Sequence, residues 1–226
     1  VLETETDRTT MTDLKTRQSI IDACLGMEGK SINRGTSGNI SVRQGDGMLI
    51  TPSALPYDQT TPDDIVWMGF DETIKGNRKP SSEWRFHLDI LRNRPEINAV
   101  VHAHPPACTA LAIMHRPIPA IHYMIAAAGG PDVRCAPYAT YGTPELSAHA
   151  LSALEDRDAC LLAHHGAIFL GASLERAMWL AVEVEALAQQ YLDCLKIGEP
   201  PVLEDAEIER VRKKFANYGY GAGGKS

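Results

Sequence analysis

A mixed α/β domain, a central sheet covered by helices, is the fold class that the sequence predicts, and three observations lead to it. Short apolar strands and amphipathic helical segments alternate irregularly, not as strict strand–helix–strand units. Gln44-Gly45-Asp46-Gly47 lies between two alternating runs as a hairpin turn, which joins antiparallel neighbours. The 226 residues, 44% hydrophobic and 23% charged, suit one large domain with a well-filled core.

The same composition narrows the function. A net charge of -7 argues against a general nucleic-acid or polyanion binder, so a recognised anion must be held by local donors. No run approaches the roughly 18 apolar residues of a membrane span, and no charged-then-apolar leader resembles a signal peptide. Cys24, Cys108, Cys135, Cys160 and Cys194 are scattered, odd in number and form no CxxC, as expected of reduced thiols in a cytoplasmic protein.

Taken in order, residues 1–12 are polar and aperiodic, so a flexible extension is expected there. Met11 is a candidate natural start, with the globular domain running over 13–220. Thr12 or Asp13 can cap a helix with Leu14, Ile20, Ile21, Cys24 and Leu25 on one side, ending at Gly29. Ile40-Ser41-Val42-Arg43 alternates as a strand and Met48-Leu49-Ile50 returns from the turn; 65–68 is a further strand. Pro80-Ser81-Ser82-Glu83 opens a helix with a serine hydroxyl as cap and Trp84, Leu88 and Leu91 on its buried side; Arg94-Pro95 ends it. A short helix over 107–114, a strand over 133–136 and a helix from Thr143-Pro144 to about residue 154, with His149 exposed, follow. Two apolar strands flank His164-His165-Gly166. Ser173 caps the longest helix, 174–195, which carries Leu174, Met178, Ala181, Val184, Ala188 and Leu192 at helical spacing. After Pro200-Pro201 comes a charged helix over 205–214. Phe215, Tyr218 and Tyr220 then precede a Gly-rich end, 221–226, and aromatics in a nominally flexible tail imply that it docks.

Chemistry concentrates at Asn98-Ala99-Val100-Val101-His102-Ala103-His104, a strand by composition and by its period of two, stopped by Pro105-Pro106. Residues i and i+2 of a strand share a face with Cα atoms roughly 6.5–7 Å apart, so His102 and His104 can converge on one metal ion. Adjacent strand residues point to opposite faces, so one of His164 and His165 can join them and the other cannot. Glu83, in the first turn of its helix, adds a carboxylate. Three imidazoles and one labile carboxylate fit a tetrahedral Zn²⁺ that a bidentate substrate can claim. Loop 33–39, with Gly38 and Asn39, the loop Thr51-Pro52-Ser53-Ala54, and the helix start at Ser81 and Ser82 together make an uncharged, backbone-rich anion pocket. The first loop lacks the GxxxxGK[ST] spacing of a nucleotide site. Metal beside a phosphate pocket points to a phosphorylated sugar chelated through a carbonyl and a neighbouring hydroxyl. Aldol cleavage, epimerisation and dehydration share that chemistry. Tyr123 alone reads as a half-buried aromatic, and His115 and His122, without partner spacing, read as structural.

NRGTSGNISVR (33–43), DGMLITPS (46–53), KPSSEWRFH (79–87), NAVVHAH (98–104), IPAIHYMIAAAGG (118–130), CAPYATYGT (135–143), the HHG turn and AMWLAVEVE (177–185) resemble motifs of the class II aldolase/adducin family, over about 17–218. The resemblance implies a mainly antiparallel sheet of about nine strands flanked by helices, in a homotetramer with active sites between subunits. It implies His102, His104 and His165 as zinc ligands, with His164 a neighbour on the other face. Glu83 then ligates zinc at rest and serves as acid/base once substrate displaces it. Gly38, Asn39, Ser53, Ala54, Ser81 and Ser82 fall on the phosphate positions. Tyr123 matches a tyrosine that reaches in from a neighbouring subunit, and Tyr218 an aromatic that closes over the site. The implied activity is zinc-dependent cleavage of a ketose 1-phosphate, such as L-fuculose 1-phosphate, to dihydroxyacetone phosphate and a small aldehyde such as L-lactaldehyde. 5-Methylthioribulose or 5-deoxyribulose 1-phosphate is the closest competing substrate; an epimerase, a dehydratase or a non-catalytic adducin-like module stands further off. Two departures stand out. Ala54 sits where the family loop carries Gly, so a positive φ there would be strained, and the tail diverges after Tyr218.

Overall fold

The structure, a computed structural model, describes residues 5–33 and 37–217. Strands β1 (Asn39–Gln44), β2 (Gly47–Ile50), β3 (Val66–Gly69), β4 (Ile74–Lys75), β5 (Ala99–Ala103), β6 (Arg134–Ala136), β7 (Ala159–Leu162) and β8 (Gly166–Gly171) form one sheet in the order β4-β3-β2-β1-β5-β8-β7-β6. Every neighbouring pair is antiparallel except β6 and β7. The sheet has eight strands among the described residues, not about nine. Two further pairings, Pro52 with Pro80 and Ile118 with Val133, stay isolated bridges. Prolines at and beside them (52, 80, 117 and 119) lack the N–H that a longer ladder needs.

Among the described residues six helices cover the sheet: α1 (Glu5–Gly29), α2 (Trp84–Asn93), α3 (Pro106–Ile113), α4 (Pro144–Ala153), α5 (Leu174–Leu195) and α6 (Asp205–Asn217). Strand alternation sorts the core into two layers. Val101, Phe169 and Leu161 pack toward α1, α3 and α5 with Ile20, Leu111 and Leu180. Val100, Ile168 and Cys160 pack toward α2 and α4 with Phe86, Leu88 and Leu146. β5 is buried along its whole length, paired with β1 on one edge and β8 on the other. That makes its end the most rigidly placed point available for a functional side chain.

Local sequence explains most boundaries. Gly45, at φ 60, supplies the left-handed residue of the β1–β2 turn. The Thr143 side chain caps α4 and that of Ser173 caps α5, each accepting a first-turn N–H. α1 departs from expectation: it begins at Glu5, ahead of the Thr12/Asp13 cap, and Leu14 and Leu25 are 53% and 49% exposed. Ile20, Cys24 and Met27 form the i, i+4, i+7 stripe, and Leu25 lies about 100° from Cys24 around the helix. Trp84 is only half-buried on α2, and His149 is half-buried, its Nδ1 at 3.2 Å from the Pro137 carbonyl. No described helix is long and apolar enough to cross a membrane, and all five cysteines are free thiols.

Ala54 adopts φ 56, the conformation in which Cβ crowds the following carbonyl at a cost of about 1–2 kcal/mol. Glycine recovers that strain and loses part of it to unfolded-state entropy. Ala54→Gly is therefore expected to raise the thermal midpoint by about 2–4 °C. A midpoint that is unchanged or lower in differential scanning calorimetry contradicts the strain.

Candidate metal centre

β5 carries Val100 and His102 on the face that meets α2, and the imidazole of His102 is fully buried against Phe86. His104 follows one residue past the strand end, its backbone N–H donating to Asn33 Oδ1 at 3.2 Å. His165 stands in the turn between β7 and β8, next to Gly166. The ligand atoms of His102, His104 and His165 all lie within 4.8 Å of one another, the three-histidine group that the strand spacing anticipates. His164 points elsewhere.

Tautomers follow from the hydrogen bonds. The Ala167 carbonyl can only accept, so His102 Nδ1, 2.9 Å away, carries the proton and Nε2 is left bare. That bare Nε2 faces His104 Nε2 at 3.1 Å and Glu83 Oε2 at 3.2 Å. Glu83 Oε1 lies 3.2 Å from His165 Nε2, yet it is buried and accepts no hydrogen bond. A buried carboxylate oxygen that accepts no hydrogen bond, beside three imidazoles whose ligand atoms lie within 4.8 Å of one another, is a donor set that a cation satisfies. The residues present therefore fit a divalent metal. Burial, and then the neighbouring His102, push His104 and His165 down to about 4, so both lone pairs are free at neutral pH.

Glu83 is held from behind. Asn39 Nδ2 donates to Glu83 Oε2 at 2.9 Å, and His87 Nε2 contacts Asn39 Oδ1 at 2.6 Å. Ser41 Oγ lies 2.8 Å from His87 Nδ1. An amide Oδ1 only accepts, so the fully buried His87 carries its proton on Nε2 and accepts from Ser41. This chain fixes the Asn39 amide and so the carboxylate. Burial alone would raise the Glu83 carboxyl, but His102, His165 and the Asn39 amide hold it well below the usual carboxylate range. Glu83 is itself the N-cap residue of α2, and no side chain caps the helix there. This corrects the expectation of a serine cap: the Ser81 hydroxyl accepts the Glu83 N–H at 3.3 Å, one position too early to cap α2.

The anion-pocket residues surround this point unequally. Gly38 is buried where a Cβ would stand 2.6 Å from the His102 carbonyl, and its own carbonyl accepts from the Tyr57 hydroxyl. The Asn39 side chain is committed to Glu83 and His87, leaving only its backbone for an anion. Ser53 and Ser82 are exposed and Ser81 is buried; the Ser53 N–H is bonded to the Lys79 carbonyl and that of Ser81 to Thr51. Ala54 takes the positive φ anticipated for a glycine position. Arg34, Gly35 and Thr36 of the first loop, and Tyr218, lie outside the described residues.

A cavity of about 340 Å³ opens over the triad, with Ser82, Glu83, His104 and His165 on its floor and Tyr138, Tyr141 and His164 on its walls. Sequence reasoning missed these two tyrosines, although Tyr138-x-x-Tyr141 just before Gly142 was the available signal. It also missed His87, whose i+4 spacing from Glu83 on one helix face pointed to it. Tyr123, 48% exposed, stands in the 3-10 stretch Tyr123–Ala128 near Phe215 and does not line the cavity of its own chain.

Comparison with known proteins agrees with this geometry. The Class II Aldolase and Adducin N-terminal domain profile matches residues 18–192. A 5-methylthioribulose-1-phosphate/5-deoxyribulose-1-phosphate aldolase of Rhodospirillum rubrum is 56% identical over 203 residues, 90% of this chain and 92% of that one. An L-fuculose phosphate aldolase of Escherichia coli O6:H1 is 55% identical over 206 residues, 91% of this chain and 96% of that one. A solved L-fuculose 1-phosphate aldolase superposes with a TM-score of 0.86 at 41% identity, covering 88% of this chain and 95% of the other.

Two expectations follow. At Gly166 a Cβ would meet the Ala103 carbonyl at 2.5 Å and the His104 ring at 2.6 Å, whereas at Gly26 it would meet nothing within 4 Å. Elemental analysis should find less bound metal in Gly166→Ala than in wild type and no change in Gly26→Ala; equal metal in both contradicts the role of this turn. The second concerns acid. His87 is pushed by burial from 6.5 to about 3, so below 6.5 the unfolded chain binds a proton that the folded chain refuses. Stability is then lost as pH falls through that window, by about 2 kcal/mol between pH 7 and pH 5 from this group. Urea unfolding should show that component, and His87→Asn should lack it.

Proposed function

The chain belongs to the class II aldolase and adducin family, and from that premise we propose that this aldolase cleaves the C3–C4 bond of a ketose 1-phosphate, L-fuculose 1-phosphate in the first instance, giving dihydroxyacetone phosphate and a small aldehyde. The observation that carries the reading is the meeting of three imidazoles, their ligand atoms within 4.8 Å of one another, and one buried, unpartnered carboxylate oxygen beside an open cavity. His102, His104 and His165 would hold the metal, taken as zinc from its nitrogen-rich donor set, with Glu83 completing the shell at rest. Bound there, zinc supplies Lewis-acid polarisation of the substrate C2 carbonyl.

The remaining steps belong to the chain. Backbone donors at Gly38, Asn39 and Ala54, with the hydroxyls of Ser53, Ser81 and Ser82, receive the C1 phosphate. They fix C2 and C3 over the cavity floor. Tyr123 of a neighbouring subunit takes the C4 hydroxyl proton as the C3–C4 bond breaks, and the aldehyde departs. Glu83, displaced by the substrate, takes up a proton from solvent and delivers it to C3, which completes dihydroxyacetone phosphate, while the C4 proton passes from Tyr123 to solvent. The Asn39–His87–Ser41 chain keeps that carboxylate aimed at one point throughout. The position of Tyr123 off the cavity of its own chain supports a site shared between subunits, and we take the assembly to be a homotetramer acting in the cytoplasm. Tyr218 would close the site.

A second substrate reading has its own support. The Rhodospirillum rubrum relative is named for 5-methylthioribulose and 5-deoxyribulose 1-phosphates, which share C1–C3 with L-fuculose 1-phosphate and differ beyond. A coupled assay for dihydroxyacetone phosphate across these ketose 1-phosphates decides between them. Metal-dependent turnover without that product overturns the aldolase reading.

Glu83→Gln keeps the shape of the side chain and removes its proton chemistry. Turnover should fall by about 10²-fold or more while phosphate protection against thermal unfolding remains. Near-normal turnover in Glu83→Gln would refute the acid/base role.

A further inference from the structure

Among the described residues, one other pair of imidazoles is aimed nitrogen to nitrogen. His115 Nε2 lies 2.8 Å from His164 Nε2, with ring centroids 4.7 Å apart and planes at 75°. The three pairs within the triad have centroids 4.8–5.0 Å apart and planes at 70–73°. The second pair thus repeats the ring geometry of the triad. It is assembled by separate elements: His115 follows the end of α3, and His164 stands in the β7–β8 turn.

The backbone holds these two segments together. The Ala112 carbonyl accepts the N–H of His115 at 3.1 Å and that of His164 at 3.3 Å. Both residues are left-handed, at φ 54 and φ 55. Each is a non-glycine residue at a position where glycine is easier, so the imidazoles are kept in place of a less strained choice. Both side chains are exposed, and no carboxylate pairs with either among the described residues. Burial therefore does not account for the pair, and neither does an ion pair.

We infer that His115 and His164 form a second divalent-metal site, on the wall of the cavity above Glu83, His104 and His165. Two neutral imidazoles with the remaining positions open to water select a first-row transition ion such as Zn²⁺ or Cu²⁺. Mg²⁺ and Ca²⁺ prefer oxygen ligands and are not held. In the absence of an ion one Nε2–H donates to the other Nε2; with that proton moved to Nδ1 of its own ring, both Nε2 atoms present lone pairs to a cation. With two exposed ligands, against three histidines and a carboxylate in the triad, the site is the weaker of the two. His164 lines the cavity mouth, so an ion here narrows the route to the triad, and excess metal inhibits.

The test is a calorimetric titration of the metal-loaded wild-type protein with Zn²⁺, and in parallel with Cu²⁺. A second, weaker equivalent is expected beyond the one already held. In His115→Asn, which tolerates the left-handed backbone and has no imidazole, the second equivalent is lost and the first is kept. His115→Gly, unstrained at that φ, should behave alike. The Cu²⁺ spectrum of the second equivalent should carry two nitrogen couplings in wild type. Inhibition by excess Zn²⁺ should be present in wild type and absent in His115→Asn. A wild-type protein with no second equivalent, or a His115→Asn protein that keeps it, overturns the assignment and leaves the pair as a hydrogen bond.

Discussion

Everything at the centre depends on holding Glu83, ionised at rest, against three imidazoles. A carboxylate that is only 5% exposed, with one oxygen accepting no hydrogen bond, costs about 1–3 kcal/mol or more in an empty site. The chain tolerates that arrangement because the surroundings cannot relax. β5 is buried on both faces and paired on both edges, and Gly38 lets β1 approach the His102 carbonyl more closely than any side chain would allow. The Asn39–His87–Ser41 chain leaves the amide a single orientation. A cation placed among these groups satisfies the unpartnered oxygen and the imidazole lone pairs, so metal binding and folding stability are linked at this point.

Six described non-glycine residues are left-handed, Ser31, Glu72 and Asp156 among them, and His164 is the one that lines the cavity. Ala54, His115 and His164 all sit in the left-handed conformation without being glycine. For His164 the conformation has a geometric consequence. It turns the chain between β7 and β8 so that His165 swings toward the triad and His164 toward the outer wall. Two consecutive histidines thereby serve two faces of one cavity. Strain of this kind persists where neighbouring structure over-determines it, and here the β7–β8 ladder and the Ala112 carbonyl supply that restraint.

Strands and turns whose side-chain period is local were legible in the sequence. His102 and His104 follow from alternation on β5, the hairpin from Gln44-Gly45-Asp46-Gly47, and α5 from Ser173 and its apolar stripe. Features set by tertiary contact were not. β4 is a two-residue edge strand with no pattern to read, and the face of α1 is chosen by what lies beneath it, so Leu14 and Leu25 remain outside. His115 gave no sign of a partner because His164 is 49 residues away along the chain. Asn39 was placed among the phosphate residues by resemblance, but its amide is consumed by Glu83 and His87, a contact between β1 and α2 that no local pattern encodes.

The division between buried and exposed residues also explains why two kinds of relative match this chain equally well. C1 to C3 are common to fuculose and ribulose 1-phosphates, and on the proposed reading these atoms face groups that are buried or half-buried: the three histidines, Glu83, Asn39, Ser81 and Gly38. Such groups are fixed jointly by the fold and the chemistry, so any member of the lineage that folds alike and forms dihydroxyacetone phosphate must keep them. The part of the substrate that differs lies beyond C4. On the same reading it faces Tyr138 and Tyr141, which are 57% and 64% exposed. Exposed wall residues can change without disturbing the core, and one methyl or thioether contact shifts selectivity by only about 1–3 kcal/mol. Identities of 56% and 55% to the two kinds of relative therefore do not separate the two substrates. On the proposed reading, substrate choice rests with a few exposed aromatics on the cavity wall, superimposed on a metal centre that both reactions share.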